Sequence, residues 1–89
     1  MFQSTKPNVI ENEEGVVVEV LGRMGMRYTE AARSVDVDSE VLATPEIAIY
    51  AASIRNWADG GLIDDATRSR IIRNIREAIR SQGEDVVVI

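Results

Sequence analysis

Asp64-Asp65-Ala66-Thr67-Arg68-Ser69-Arg70-Ile71-Ile72-Arg73-Asn74-Ile75-Arg76-Glu77-Ala78-Ile79-Arg80-Ser81-Gln82-Gly83 reads as a single amphipathic helix. At about 100° per residue, Ile71, Ile72, Ile75, Ala78 and Ile79 share an arc of roughly 120°. Arg70, Arg73, Arg76 and Arg80 fall on the other side. Asp64 or Asp65 can accept the first free backbone N–H groups, and both carboxylates suit the positive end of the helix dipole. Leu62 or Ile63 can act as the preceding hydrophobic staple, and Gly83 fits the stop position. Arg68 breaks the pattern at the centre of the apolar arc. The expectation is that it lies past the edge of a sheet, with its stem covering apolar surface.

What precedes this helix reads as strands. Val16-Val17-Val18-Glu19-Val20-Leu21 is dense in β-branched residues and stops at Gly22. After Gly25, Met26-Arg27-Tyr28-Thr29-Glu30 alternates, so a hairpin with glycines in its connection is expected. From Ser34 to Val41 the alternation is cleaner. Val35, Val37 and Val41 point to one face, and Ser34, Asp36, Asp38 and Glu40 to the other. A three-stranded meander over 15–41 follows from adjacency.

Residues 46–55 admit two readings. Thr44-Pro45-Glu46 is good helix-start grammar, and Ile47, Tyr50, Ala51, Ile54 and Trp57 fit helical spacing. Ile47-Ala48-Ile49-Tyr50, however, is apolar on both alternating faces, as a covered strand is, and the stretch is read as strand. Asp59-Gly60-Gly61 ends the element. Val86-Val87-Val88-Ile89 is a final strand. Residues 1–14, with Pro7, Asn8, Asn12 and three glutamates, read as a flexible tail ahead of a single α+β domain over 15–89. The expected architecture is a small antiparallel meander with the helix packed on one face and a short last strand.

The chain has 89 residues and no cysteine or histidine. Disulfides and thiolate metal sites are excluded, as are the commonest general base and metal ligand. A domain this small without such staples can gain stability by self-association. There is no apolar run long enough to cross a bilayer and no signal-peptide core at the start, so a cytoplasmic location is expected. The serines have no histidine to activate them, and Gly60-Gly61 is too short to cradle a phosphate. Asp36, Asp38 and Glu40 form an acidic row but lack the loop grammar of a calcium site, and a solvated strand face accounts for them. Asp64 and Asp65 are explained by capping. No enzyme activity, cofactor or metal is expected.

The feature with binding character is the arginine row. Five arginines against Glu77 give residues 66–82 a charge of about +4, which leaves −9 on the rest of a chain whose total is −5. Arginine suits bidentate capture of carboxylates. With a pI near 4.6 and four aromatic residues, nucleic acid is disfavoured against an acidic protein surface. A solvated face, with Glu77 paired to Arg73 or Arg80, is the alternative. Trp57 and Tyr50 read as core or core-edge residues, and Tyr28 as either core or partner anchor. The candidate partner-binding set is Tyr28, Arg70, Arg73, Arg76 and Arg80.

The runs Met26-Arg27-Tyr28-Thr29-Glu30, Arg33-Ser34-Val35-Asp36-Val37-Asp38-Ser39-Glu40, Ile49-Tyr50-Ala51-Ala52-Ser53-Ile54-Arg55-Asn56-Trp57 and Arg70-Ile71-Ile72-Arg73-Asn74-Ile75 resemble the immunity protein 74-like family of bacterial polymorphic-toxin systems. The resemblance covers 16–83. It implies a cytoplasmic, non-catalytic binding protein that neutralises a cognate toxin, and it carries over no contact residue. The rival class is a homo-oligomeric structural or regulatory domain, motivated by the apolar last strand.

Overall fold

Along the strand Arg33–Val41 the side chains alternate between core and solvent. Val35, Val37 and Ser39 are buried, while Asp36, Asp38 and Glu40 are exposed. This is the period-2 pattern of a strand with one dry face. Val41 departs from it: the strand runs past the core there, and the side chain is 47% exposed.

The computed structural model describes residues 1–89. Its strands are β1 (Gln3–Lys6), β2 (Val9–Glu11), β3 (Val17–Gly22), β4 (Gly25–Glu30), β5 (Arg33–Val41), β6 (Glu46–Ile49) and β7 (Asp85–Val88), with one helix, α1 (Asp65–Ser81), between the last two. The seven strands form one curled mixed sheet, a half-barrel, in sequential order. β3, β4 and β5 make the expected antiparallel meander. Tyr28 stands between Val18 and Val35, and Met26 between Val20 and Val37, so the dry face is continuous across three strands.

Residues 1–14, expected as a tail, carry β1 and β2 as an antiparallel hairpin, and β2 extends the meander by pairing with β3. Ile10 lies beside Val18 and is buried, as is Phe2. Three-residue β2 is too short to display alternation, and its glutamate neighbours mask the one isoleucine that matters. The Asn12 side chain accepts hydrogen bonds from the Glu14 and Val16 N–H groups and turns the chain into β3.

The fold is α+β, but the sheet is not wholly antiparallel. β6 and β7 run parallel. A parallel pair needs a long crossover, which the segment containing α1 supplies. The strand expected over 46–55 covers only β6 and gives way to a 3₁₀ turn at Ala51–Ser53. Both alternating faces of β6 are buried, which accounts for its continuous apolar run.

The helix follows its sequence grammar closely. Asp64 is the N-cap, accepting the Thr67 N–H at 2.8 Å. At the other end Gly83 adopts φ 85°, with Gly83 N–H donating to Arg80 O and Glu84 N–H to Ile79 O. That pair of hydrogen bonds is a Schellman stop, which favours glycine at its left-handed position. Ile71, Ile75, Ala78 and Ile79 are buried in one core cluster together with Val18, Met26, Tyr28, Val35, Ile49, Trp57 and Val86. Ile72 is only partly buried against it. No helix is long and apolar enough to cross a membrane.

Candidate binding cleft

Tyr28 and Glu30 are two residues apart on β4, so their side chains leave the same face of the strand. The Tyr28 hydroxyl donates to Glu30 Oε1 at 2.7 Å. From α1, Asn74 donates its amide to the same hydroxyl at 2.9 Å. One turn earlier, Arg70 grips Glu30 with both arms, Nη2 to Oε2 at 2.7 Å and Nε to Oε1 at 3.3 Å. Strand and helix are thereby joined by a closed polar chain, Asn74–Tyr28–Glu30–Arg70.

Burial is the main influence on the Tyr28 phenol and pushes its pKa well above the ordinary tyrosine range. At Glu30 burial also pushes upward. Hydrogen bonds from Arg70 and Tyr28, with the Arg70 charge, outweigh it and leave the carboxyl below its usual value.

Three members of the network, Glu30, Arg70 and Asn74, line a cleft of about 280 Å³ together with Asn12, Glu14 and Arg73, while Tyr28 lies beneath it in the core. Ala31 also lines it. Ala31 and Ala32 make the two-residue connection between β4 and β5, and both have positive φ, 49° and 62°. Such a turn favours asparagine and glycine, so two alanines there carry strain beside the cleft. A larger hollow, about 450 Å³, lies on the outward side of β5. There Arg27 is already paired with Asp36 at 2.9 Å, so its charge is spent locally.

The candidate residues do not form one surface. Tyr28 is fully buried and so offers no partner anchor; its role is in the core and the network. Arg70 faces β4 and is held by Glu30. Arg80 faces the other flank and is held by Asp85, Nε to Oδ1 at 2.9 Å. Arg73 is exposed and makes no ion pair, so the expected bond to Glu77 does not form. Arg76 is half-buried, and its Nε has no hydrogen-bond partner. Arg68 turns inward, its Nε donating to Ile54 O at 2.8 Å and its Nη2 to Ile63 O at 3.4 Å, with Asp65 as its ionic partner. Its role is thus more specific than covering apolar surface.

The cleft also takes in Glu30, Asn74, Asn12 and Glu14, which the sequence pattern does not single out. The Tyr28-x-Glu30 spacing held a usable signal for the first of them, because same-face neighbours on a strand can bond. Two members of the acidic row have local partners, Asp36 with Arg27 and Glu40 with the Tyr50 hydroxyl, and the third, Asp38, is exposed to solvent. No group of three histidine, cysteine, aspartate or glutamate side chains gathers anywhere in the molecule. Comparison with protein-family models, curated proteins and solved structures finds no match in any of the three.

Proposed function

We propose that this protein is a non-catalytic binding module that neutralises a cognate bacterial toxin, engaging it through the outer side of α1 and the cleft beside it. On this reading α1 lies across the inner face of the sheet, which is supported by the single core shared between helix and strands. The observation that carries the proposal is the state of Arg73. It is an exposed guanidinium with no acidic partner, at the rim of a cleft whose other arginine, Arg70, is fixed by Glu30. A free arginine next to a rigid polar floor suits capture of a carboxylate on a partner protein. A stoichiometric inhibitor needs a complementary surface and no reacting groups. The resemblance to the immunity protein 74-like family points the same way.

The experiment is co-expression of the protein with each toxin encoded beside its gene, together with a pull-down. Protection and direct binding are expected, and Arg73→Glu is expected to weaken both while leaving thermal unfolding unchanged. Should cells lacking the gene stay fully resistant to every such toxin, the proposal is abandoned.

A further inference from the structure

The two edges of the sheet are built differently. β1 presents Gln-Ser-Thr-Lys, all exposed, with a register irregularity and Pro7 directly after it. Polar side chains, a bulge and a proline are the usual guards against edge pairing. β7 has no bulge and no proline, and its one polar residue is Asp85 at its start. Its sequence is Asp-Val-Val-Val, and its only strand neighbour is β6. Asp85 N–H donates to Pro45 O and Ile89 N–H to Ile49 O, so the odd-numbered residues face β6. The backbone groups of Glu84, Val86 and Val88 therefore point outward. Of these, Val86 N–H is taken by the Asp85 side chain at 2.7 Å and Glu84 N–H by Ile79 O. The Val88 N–H and the Glu84 and Val86 carbonyls have no partner.

The side chains along this edge are also incomplete. Val88 is 37% and Ile89 63% exposed, and Ile72 of α1 is only partly covered. Arg76 stands on this flank of the helix, one turn before the Arg80 that holds Asp85. Its side chain is half-buried, forms no ion pair, and has a desolvated Nε without an acceptor, so its charge is unanswered within the chain. Glu84 is exposed, forms no ion pair, and is in phase with Val86 and Val88.

The geometry points to a second copy of this chain as the occupant of the β7 edge, in a two-fold antiparallel β7–β7 dimer with reciprocal Arg76–Glu84 ion pairs. A two-fold contact needs a surface that complements itself. Here one strand carries both halves of the complement. With the two Val86 residues on the axis, the free Val88 N–H of each chain meets the free Glu84 carbonyl of the other. Release of Val86 N–H from Asp85 then adds two bonds to the Val86 carbonyls. The same register sets each Glu84 opposite the partner's Val88, on the side of the sheet where Arg76 stands. The exposed parts of Val88 and Ile72 are covered in the same step.

The test is the mass of the full-length protein in solution by light scattering and sedimentation over a wide concentration range. A dimer is expected for the native chain. Arg76→Glu and Glu84→Arg, made singly, are each expected to shift it to monomer, and the double swap is expected to restore the dimer. Rescue by the swap separates a lost contact from a misfolded chain. A monomer at all concentrations overturns the proposal, as does a dimer whose stability ignores both reversals. Toxin binding is assayed separately through Arg73, so either reading can fail alone.

Discussion

Asn74 and Tyr28 meet across 46 residues of sequence, amide to hydroxyl at 2.9 Å, and that bond ties α1 to β4 at the edge of the apolar core. Tyr28 has no exposed surface, so its hydroxyl must find partners inside the protein. It accepts from Asn74 and donates to Glu30. Tyr28→Phe would keep the ring and strand both partners. The expected loss is about 1–3 kcal/mol, because an amide and a carboxylate oxygen each lose a bond in a half-dry site. Asn74→Leu removes only one donor and should cost less. Urea denaturation of the two variants gives the comparison, and an equal cost would deny the hydroxyl its double role.

The pH dependence follows from Glu30. Its pKa is lower in the folded protein than in the unfolded chain, so the folded state favours the charged carboxylate. Its contribution to stability is present above the unfolded value, and is lost as the pH falls through the lower folded value. Asp64 and Asp85 are shifted the same way, by the Thr67 and Arg80 hydrogen bonds respectively. The protein should therefore lose stability on acidification below about pH 4. Glu30→Gln should be less stable than the native chain at neutral pH, with a smaller further loss in acid. Melting temperatures from pH 7 to 3 measure both slopes.

Legibility in the sequence tracked the strength of the repeating pattern. The helix is readable to its caps, because 17 residues of period 3.6 lie between Asp64 and Gly83, two residues with specific backbone roles. β5 was readable because valines and acids alternate along it. The parallel β6–β7 pair was not, since strand direction is set by the crossover and leaves no mark in a four-residue run of valine or isoleucine. β1 and β2 were hidden for a related reason: their stabilisation comes from pairing with β3 and from Ile10 reaching the core, not from their own composition. The arginine row was seen as one face of a wheel. Its division into a β4 flank and a β7 flank depends on Glu30 and Asp85, which are distant or unmarked in the chain.

The β4–β5 turn should be improvable. Ala31 and Ala32 both sit at positive φ, where an L-residue other than glycine or asparagine is disfavoured by about 1–2 kcal/mol. Ala31→Asn with Ala32→Gly matches the preferred chemistry of a two-residue hairpin. A gain of about 1 kcal/mol is expected in denaturant unfolding, part of it offset by the extra freedom glycine gives the unfolded chain. No gain would mean the strain is absorbed elsewhere in the hairpin. If the gain appears together with weaker binding of the toxin partner proposed above, the strained turn shapes the cleft that Ala31 lines.

Arg68 gives the sharpest contrast within the helix. A lone arginine in an apolar arc invites replacement by leucine, which would complete the stripe. Yet its guanidinium donates to the carbonyls of Ile54 and Ile63, which flank the Trp57 loop, and both residues are buried. Removing it leaves these carbonyls without their donor and unlinks the loop from the first turn of α1. Arg68→Leu should therefore destabilise by about 1–3 kcal/mol despite its better hydrophobic pattern. Arg73→Leu, on the solvent side, should change stability by no more than about 0.5 kcal/mol. Trp57 is the only tryptophan in the chain, so its fluorescence reports the loop directly. A red shift is expected for Arg68→Leu and none for Arg73→Leu. The reverse order of stabilities would show that apolar pattern outweighs the carbonyl bonds at this position.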